Sequence, residues 1–547
     1  MSAGVDSTVN VAAHLTRMAA DHPEMPAIVF LRGDKELSWT YRLLNAETDR
    51  IARGLESAGL RRGMRAVLMV KPGPEFFCLT FALFKIGAVP VLVDPGMDKR
   101  SLAKCLEEAE PEAFIGIPIA HVARGLLGWA RKTVKIAVCV GPRMLPGMFT
   151  WEDLRKNDGA AYPDRPTSPD ETAAILFTSG STGAPKGAVY SHGNFAAQVE
   201  FLRSHFGVEP GEVDLPTFPL FGLFGPALGM TSVIPKMDFT RPGSVEPKNI
   251  IEPILKHKVT HLFGSPALLD RVGRWAEPRE IILPSLKRVV SAGAPVPAKV
   301  LERFQRLLGK GVEIHTPYGA TEALPVASIS SSSILGETRV ATAEGKGVCV
   351  GKPLPGVEVN ILRISDFPVV RWQDELRALP GEVGEIISLG PQVTREYYGR
   401  PEATALAKVR FPDGRVGHRM GDLGYFDDQG RLWFCGRKSQ RVETARGPLY
   451  TIQVEGVFNQ HPEVRKSALV GVGEPGGQSA ILIVEPEDKG RADLKKLRAE
   501  LIDLGARYSH TKCIAEILFH EALPVDIRHN AKIFREKLAV WAAGQLA

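Results

Sequence analysis

Two short apolar runs, Ala66-Val67-Leu68-Met69-Val70 and Val89-Pro90-Val91-Leu92-Val93, flank a stretch from Pro74 to Gly87 whose length and apolar content suit a helix. Short continuous apolar runs bounded by turn residues are the pattern of strands buried on both faces, so this segment predicts a βαβ unit. Similar alternation recurs through His261 to Phe263, Val289 to Ser291 and Val312 to His315. Parallel sheets flanked by helices are therefore expected. From Val348 the texture changes to short strands punctuated by Gly and Pro, among them Gly381-Glu382-Val383-Gly384-Glu385-Ile386-Ile387, which predicts a smaller β-rich subdomain. After Arg437 comes an α+β tail of about one domain's size. The expected division is 1–436 and 437–547, and no long-period internal repeat is visible.

At 547 residues the chain is too long for a single core. Hydrophobic content of 44% and charged content of 24% are ordinary globular values and give no sign of disorder. The net charge of +6 is mild and its Lys/Arg residues are dispersed among Asp/Glu, which argues against nucleic acid and is met by an anionic substrate. Cys78, Cys105, Cys139, Cys349, Cys435 and Cys513 have no CxxC spacing, so they read as small buried hydrophobes, not as a disulfide framework or zinc site. The N-terminus lacks the basic-then-apolar pattern of a signal peptide. The most apolar region, Val67 to Val93, is interrupted by Lys71, Pro72, Glu75 and Lys85 and falls short of a transmembrane helix. A cytoplasmic protein is expected.

The candidate chemistry begins at Thr178-Ser179-Gly180-Ser181-Thr182-Gly183-Ala184-Pro185-Lys186-Gly187, directly after the apolar stretch Ala173 to Phe177. Glycines allow backbone N–H groups to converge on one anion, the hydroxyls add donors, and Lys186 adds a mobile charge: a phosphate loop. It is not a Walker A loop, since proline precedes the lysine and glycine follows it, with no adjacent Ser/Thr for Mg²⁺. In order downstream stand Ser291-Ala292-Gly293-Ala294-Pro295, Tyr318-Gly319-Ala320-Thr321-Glu322, Gly421-Asp422-Leu423-Gly424, Gly436-Arg437-Lys438 and Asn530-Ala531-Lys532-Ile533. Loop and stations together resemble the adenylate-forming superfamily, which includes acyl-CoA synthetases, luciferases and nonribosomal adenylation domains. The likeness runs from about Leu37 to Leu538.

That resemblance implies a large N-terminal α/β adenylation domain, with parallel subdomains and a small β-rich one, and a small mobile α+β C-terminal domain carrying Lys532. It implies ATP and Mg²⁺ as cofactors. Thr178, Ser179, Gly180, Ser181, Thr182, Gly183 and Lys186 would hold the phosphates, and Glu322 would bind Mg²⁺. Tyr318, beside Gly319 and Thr321, would stack on adenine, with the Gly293-Ala294-Pro295 turn over the other face. Asp422 would take the ribose hydroxyls, Arg437 would act at the ribose or the hinge, and Lys532 would stabilise charge developing between carboxylate and α-phosphate. Bringing two anions together makes such positive groups necessary.

Three departures narrow the reading. Ser439 stands at the expected hinge position, and Gly447-Pro448 makes the following loop stiffer than one built to admit a pantetheine arm. Met420 replaces the usual Ser/Thr before Gly421-Asp422. Phrases such as His418-Arg419-Met420-Gly421-Asp422, Arg441-Val442-Glu443-Thr444-Ala445 and Val525-Asp526-Ile527-Arg528-His529-Asn530-Ala531-Lys532 resemble the β-lactone synthetases of bacterial long-chain olefin biosynthesis. The likeness implies adenylation of a long-chain 2-alkyl-3-hydroxy acid, followed by attack of its own 3-hydroxyl to release AMP and a β-lactone. Other enzymes of an olefin pathway are implied as partners, with no nucleic acid and no transmembrane segment. The proton acceptor stays open among His418, His529 and the phosphate of AMP. Phe218-Pro219-Leu220-Phe221-Gly222-Leu223-Phe224 suits an alkyl-chain wall or ordinary core packing equally. A fatty acyl-CoA or acyl-AMP ligase and a catalytically silent nucleotide- or acyl-binding regulator are the alternatives.

Overall fold

The computed structural model describes residues 9–93, 97–178, 185–488, 490, 493–525 and 533–546. The predicted βαβ unit is present as strand Arg65–Met69, helix Pro74–Ile86 and strand Val89–Val93, the strands pairing in parallel with Val67 beside Val91. Pro74 opens the helix where a backbone N–H has no partner to lose. Gly87 closes it at φ 78°, a left-handed conformation that strains any residue with a Cβ. Every helix residue but Glu75 is buried, which is why the sequence there is apolar all round.

These strands belong to a seven-stranded sheet in the order Phe149–Thr150, Ile136–Cys139, Ala113–Gly116, Arg65–Met69, Val89–Val93, Thr172–Thr178 and Lys186–Ser191, parallel except for the last pair. Both faces are covered: Leu68, Leu92 and Leu176 join one core, and Val67, Val91, Val93 and Phe177 join another. A second sheet runs in parallel through Thr231–Val233, Val213–Pro216, His261–Phe263, Arg288–Val290 and Glu313–Ala320. The runs expected near Val289 and Val312 are thus strands, the latter extending to Ala320.

The β-rich part expected from Val348 contains Val348–Pro353, Glu358–Leu362, Gly384–Leu389, Val416–Phe426 and Leu432–Arg437. It is continuous with the second sheet, because Ala327 and Ser328 pair with Pro353 and Lys352, and the whole sheet has 14 strands among the described residues. After Arg437, strands Val464–Val472, Ser479–Pro486 and Glu516–Phe519 form a three-stranded sheet packed with helices Thr451–Phe458, Leu494–Ala506 and Arg535–Leu546 around cores of their own. Gly447–Leu449, expected to be stiff, pairs with Val442–Thr444 as a short hairpin. Among the described residues, no helix is long and apolar enough to cross a membrane.

Candidate active site

A continuous cavity of about 1570 Å³ opens along the C-terminal ends of the parallel strands, where ligands of such sheets sit. Leu68, Leu92 and Leu176 line it from one face of the sheet, and Met69, Val93 and Phe177 from the other. Successive strand residues point to opposite faces, so the cavity bends around the sheet edge and enters both core layers. One apolar lobe is walled by Leu102, Ala120, Ala123 and Trp129, and the other by Phe30, Phe76, Leu220, Leu223 and Ile234. The segment from Phe218 to Phe224 contributes Phe218, Pro219, Leu220, Phe221, Leu223 and Phe224 to the walls, while Leu220, Phe221, Leu223 and Phe224 also pack against core clusters, so it serves as wall and as core packing.

The polar end of the cavity carries Lys186, Glu322 and Arg437. Thr178 ends one strand and pairs with Lys186 at the start of the next, so the phosphate loop is a hairpin connection anchored on both sides. Ser179, Gly180, Ser181, Thr182 and Gly183 lie outside the described residues, as does Lys532. Thr321 and Glu322 form a two-residue turn between Ala320 and Ala323, which pair across it. Four side chains hold that turn. The Tyr190 hydroxyl donates to the Thr321 carbonyl, Gln198 donates to the Leu324 carbonyl at 2.9 Å, and Thr394 donates to the Glu322 carbonyl from its N–H at 2.9 Å and its hydroxyl at 3.1 Å. The Tyr397 hydroxyl donates to Oε1 of Glu322 at 2.7 Å. Burial, reinforced by the Glu322 charge, pushes the Tyr397 phenol far up, so it stays a donor.

Lys186 Nζ sits 5.1 Å from the centre of the Tyr397 ring. Behind it the buried Lys408 donates to the carbonyl and, at 3.0 Å, the hydroxyl of Thr394, and burial lowers its pKa to about 7. His418 lies opposite Lys408 on the neighbouring strand and lines the cavity. Burial, with Lys408, Lys186 and Arg437 adding repulsion, holds its pKa well below the usual histidine value. The ring is hydrogen-bonded to the Ala407 backbone, and among the described residues Nδ1 has no partner.

Asp422 is gripped from two sides: Tyr318 OH donates to Oδ2 at 2.8 Å, and Arg437 Nη1 lies 3.0 Å from Oδ1. Asp422 in turn raises the pKa of Arg437, and burial raises that of Tyr318, so both donors keep their protons. Lys438 donates to the Ser365 carbonyl at 2.8 Å and to Glu385 at 3.0 Å, which ties the segment after Arg437 to the β-rich part. Of the turn at Gly293-Ala294-Pro295, only Gly293 lines the cavity, and Gly319 and Thr321 line it too. Tyr318 and Asp422 stand beside the cavity as a hydrogen-bonded pair. Tyr190, Gln198, Thr394, Tyr397 and Lys408 escaped the sequence reading, because their partners lie far away in sequence and no local spacing marks them.

Among the described residues, no three His, Cys, Asp or Glu side chains cluster as a metal cage. A single carboxylate, Glu322, lining the same cavity as Lys186 is a donor set that suits Mg²⁺ held jointly with phosphate oxygens.

The AMP-binding enzyme family model matches residues 15–398. The chain is 51% identical to the olefin beta-lactone synthetase of Xanthomonas campestris pv. campestris over 549 residues, 98% of each chain. It is equally similar, 51% over 550 residues and again 98% of each chain, to the olefin beta-lactone synthetase of Stenotrophomonas maltophilia. Among solved structures, the amide bond synthetase McbA from Marinactinospora thermotolerans superposes with a TM-score of 0.80 at 25% identity, covering 97% of this chain and 99% of that one. Lys186 at a strand start and Glu322 on a clamped turn thus line one cavity at the C-terminal edge of a parallel sheet, sequence likeness runs along nearly the whole chain, and the chain belongs to the AMP-binding enzyme family, an enzyme of the adenylate-forming ligases.

Proposed function

We propose that this chain adenylates a long-chain 2-alkyl-3-hydroxy acid with ATP and then closes it to a β-lactone, releasing pyrophosphate and AMP. The carrying observation is the two-lobed apolar cavity beside Lys186 and Glu322. An acid branched at C2 presents two alkyl chains diverging from one carboxyl group, and lobes on opposite faces of one sheet edge give each chain its own apolar wall. Likeness to two relatives named olefin beta-lactone synthetase supports the same reading.

In the first step a carboxylate oxygen attacks the α-phosphorus and pyrophosphate leaves. Lys186 and the phosphate loop, Thr178 through Gly183, hold the polyphosphate; Asp422 and Tyr318 orient the nucleoside; Lys532 meets the charge that builds between carboxylate and α-phosphate. Mg²⁺, bound through Glu322 and phosphate oxygens, would neutralise charge on the polyphosphate. In the second step the 3-hydroxyl oxygen bonds to the acyl carbon, the acyl–phosphate C–O bond breaks and AMP leaves. Attack within one molecule replaces an encounter with a second substrate, and effective molarities of ~10⁵ M or more offset part of the ring strain. The hydroxyl proton needs an acceptor, for which His418, His529 and the phosphate of the leaving AMP are the candidates; burial and the neighbouring cations make the His418 ring a weak base.

Arg437 and Ser439 are read as the hinge between 1–436 and the C-terminal unit, and the cytoplasm as the place of action, where ATP is available. The test is product mass analysis with ATP, Mg²⁺ and a 3-hydroxy acid, with and without CoA. A product one water lighter, AMP in equal amount and no CoA consumed are expected. Fast CoA-dependent turnover of the plain fatty acid would replace this reading with an acyl-CoA ligase.

A further inference from the structure

The helix Pro118–Leu127 is built inside out. Its two polar side chains turn inward: His121 is buried against the Val138 carbonyl at 2.9 Å, and Arg124 lies half-buried over the Phe114 ring at 5.4 Å. Its solvent side is apolar, with Ile119 exposed to 72%, Leu126 to 82%, and Val122 and Leu127 also exposed. Ile119, Val122 and Leu126 fall on one stripe at helical spacing. Pro118 packs against Gly141, which brings up a second loop with exposed Met144 and Leu145. A surface helix ordinarily shows the opposite polarity, and a contiguous exposed apolar patch marks a binding surface.

Charge says what covers this one. From Ala113 to Trp151 the chain contains no Asp or Glu, while it carries Arg124, Arg131, Lys132, Lys135 and Arg143. Arg131, Lys132 and Lys135 follow the helix directly and are exposed, and among the described residues none has a carboxylate partner. The acids that bound this stretch in sequence are engaged: Glu112 with Arg65 at 3.0 Å, Glu152 with Arg155 at 3.1 Å, and Asp153 with Arg143 and Lys156. An apolar helix face without hydrogen-bonding groups, flanked by unneutralised cations, matches a lipid surface with anionic headgroups, not the mixed polar rim of a protein interface. The face also adjoins the cavity. Ile119 lines the cavity while exposed, and so does Leu406 at 45%, so the lobe walled by Leu102, Ala120, Ala123 and Trp129 reaches solvent here.

We infer that the outer face of helix Pro118–Leu127, with Arg131, Lys132 and Lys135, docks the protein peripherally on an anionic bilayer and opens one cavity lobe toward it. A long-chain acid could then pass from the lipid phase into the apolar lobe. The docking is read from protein alone, so it stands or falls separately from the lactone chemistry.

The test is co-sedimentation of the full chain with phosphatidylcholine–phosphatidylglycerol vesicles and with phosphatidylcholine vesicles. Binding to the anionic vesicles that weakens with salt is expected. Leu126→Glu with Leu127→Glu should lower partitioning at least tenfold. Replacing Arg131, Lys132 and Lys135 by Gln should lower it roughly fivefold per cation at low salt. Neither set lines the cavity, so adenylation of a short soluble 3-hydroxy acid should be unchanged, which verifies the fold. No binding by the parent, or variants that bind like the parent, would overturn the proposal. So would a parent dimer that the Leu126→Glu, Leu127→Glu variant dissociates in the absence of vesicle binding, since a second copy would then cover the face.

Discussion

Replacing Tyr397 by Phe removes one oxygen and leaves the ring in place. The lost group is the donor that holds Oε1 of Glu322 at 2.7 Å. The ring beneath Lys186 Nζ is retained, as is the Tyr397 N–H bond to Thr404 Oγ1 at 3.0 Å, so the phosphate side and the backbone should not move. A buried hydrogen bond to a charged group contributes about 1.5–3 kcal/mol, and loss of a partner that orients a metal-ligating carboxylate typically weakens metal affinity about 10–100-fold. The assay is pyrophosphate release against Mg²⁺ concentration with saturating ATP and acid. The half-maximal Mg²⁺ concentration should rise at least tenfold, with the rate recovering at high Mg²⁺. Glu322→Gln should shift in the same direction. In the double variant the loss of the hydroxyl should add little, because coupled neighbours are not additive. A Tyr397→Phe curve superimposable on the parent's would refute the claim that this hydroxyl orients a metal ligand.

Two further outcomes follow from the same site. Lys532→Ala should keep the fold and ATP binding yet lose about a hundredfold in pyrophosphate release, since a charge met only in the transition state affects rate more than ground-state binding; release above a third of the parent rate would remove Lys532 from the mechanism. Lys408 titrates near 7 when folded, against ~10.4 when unfolded, so between those values the unfolded chain holds the extra proton and stability contributed by this residue rises with pH. Lys408→Met should therefore flatten the rise in urea midpoint between pH 7 and pH 9, and an unchanged slope would mean that Lys408 is not held neutral by burial.

Local sequence sufficed for features set by neighbours along the chain. The runs at Ala66 and Val89 became parallel strands, because strands buried on both faces must be apolar throughout and Pro74 and Gly87 punctuate the helix between them. The order of the phosphate loop, the Tyr318 to Glu322 run, the Gly421-Asp422 pair and Arg437 sufficed to give the family, since each is marked by a few contiguous residues. Tertiary structure alone decided how those turns are held. Tyr190, Thr394 and Tyr397 reach Thr321 and Glu322 across 131, 72 and 75 residues of chain, and no periodicity reports such pairings. The β-rich part from Val348 reads as separate in sequence, yet two residue pairs join it to the larger sheet, because strand pairing is made by backbone groups that every residue carries. The helix at Pro118–Leu127 makes the same point about orientation: apolar content predicts that its residues are buried, whereas the packing of His121 and Arg124 against the body decides that its leucines face out.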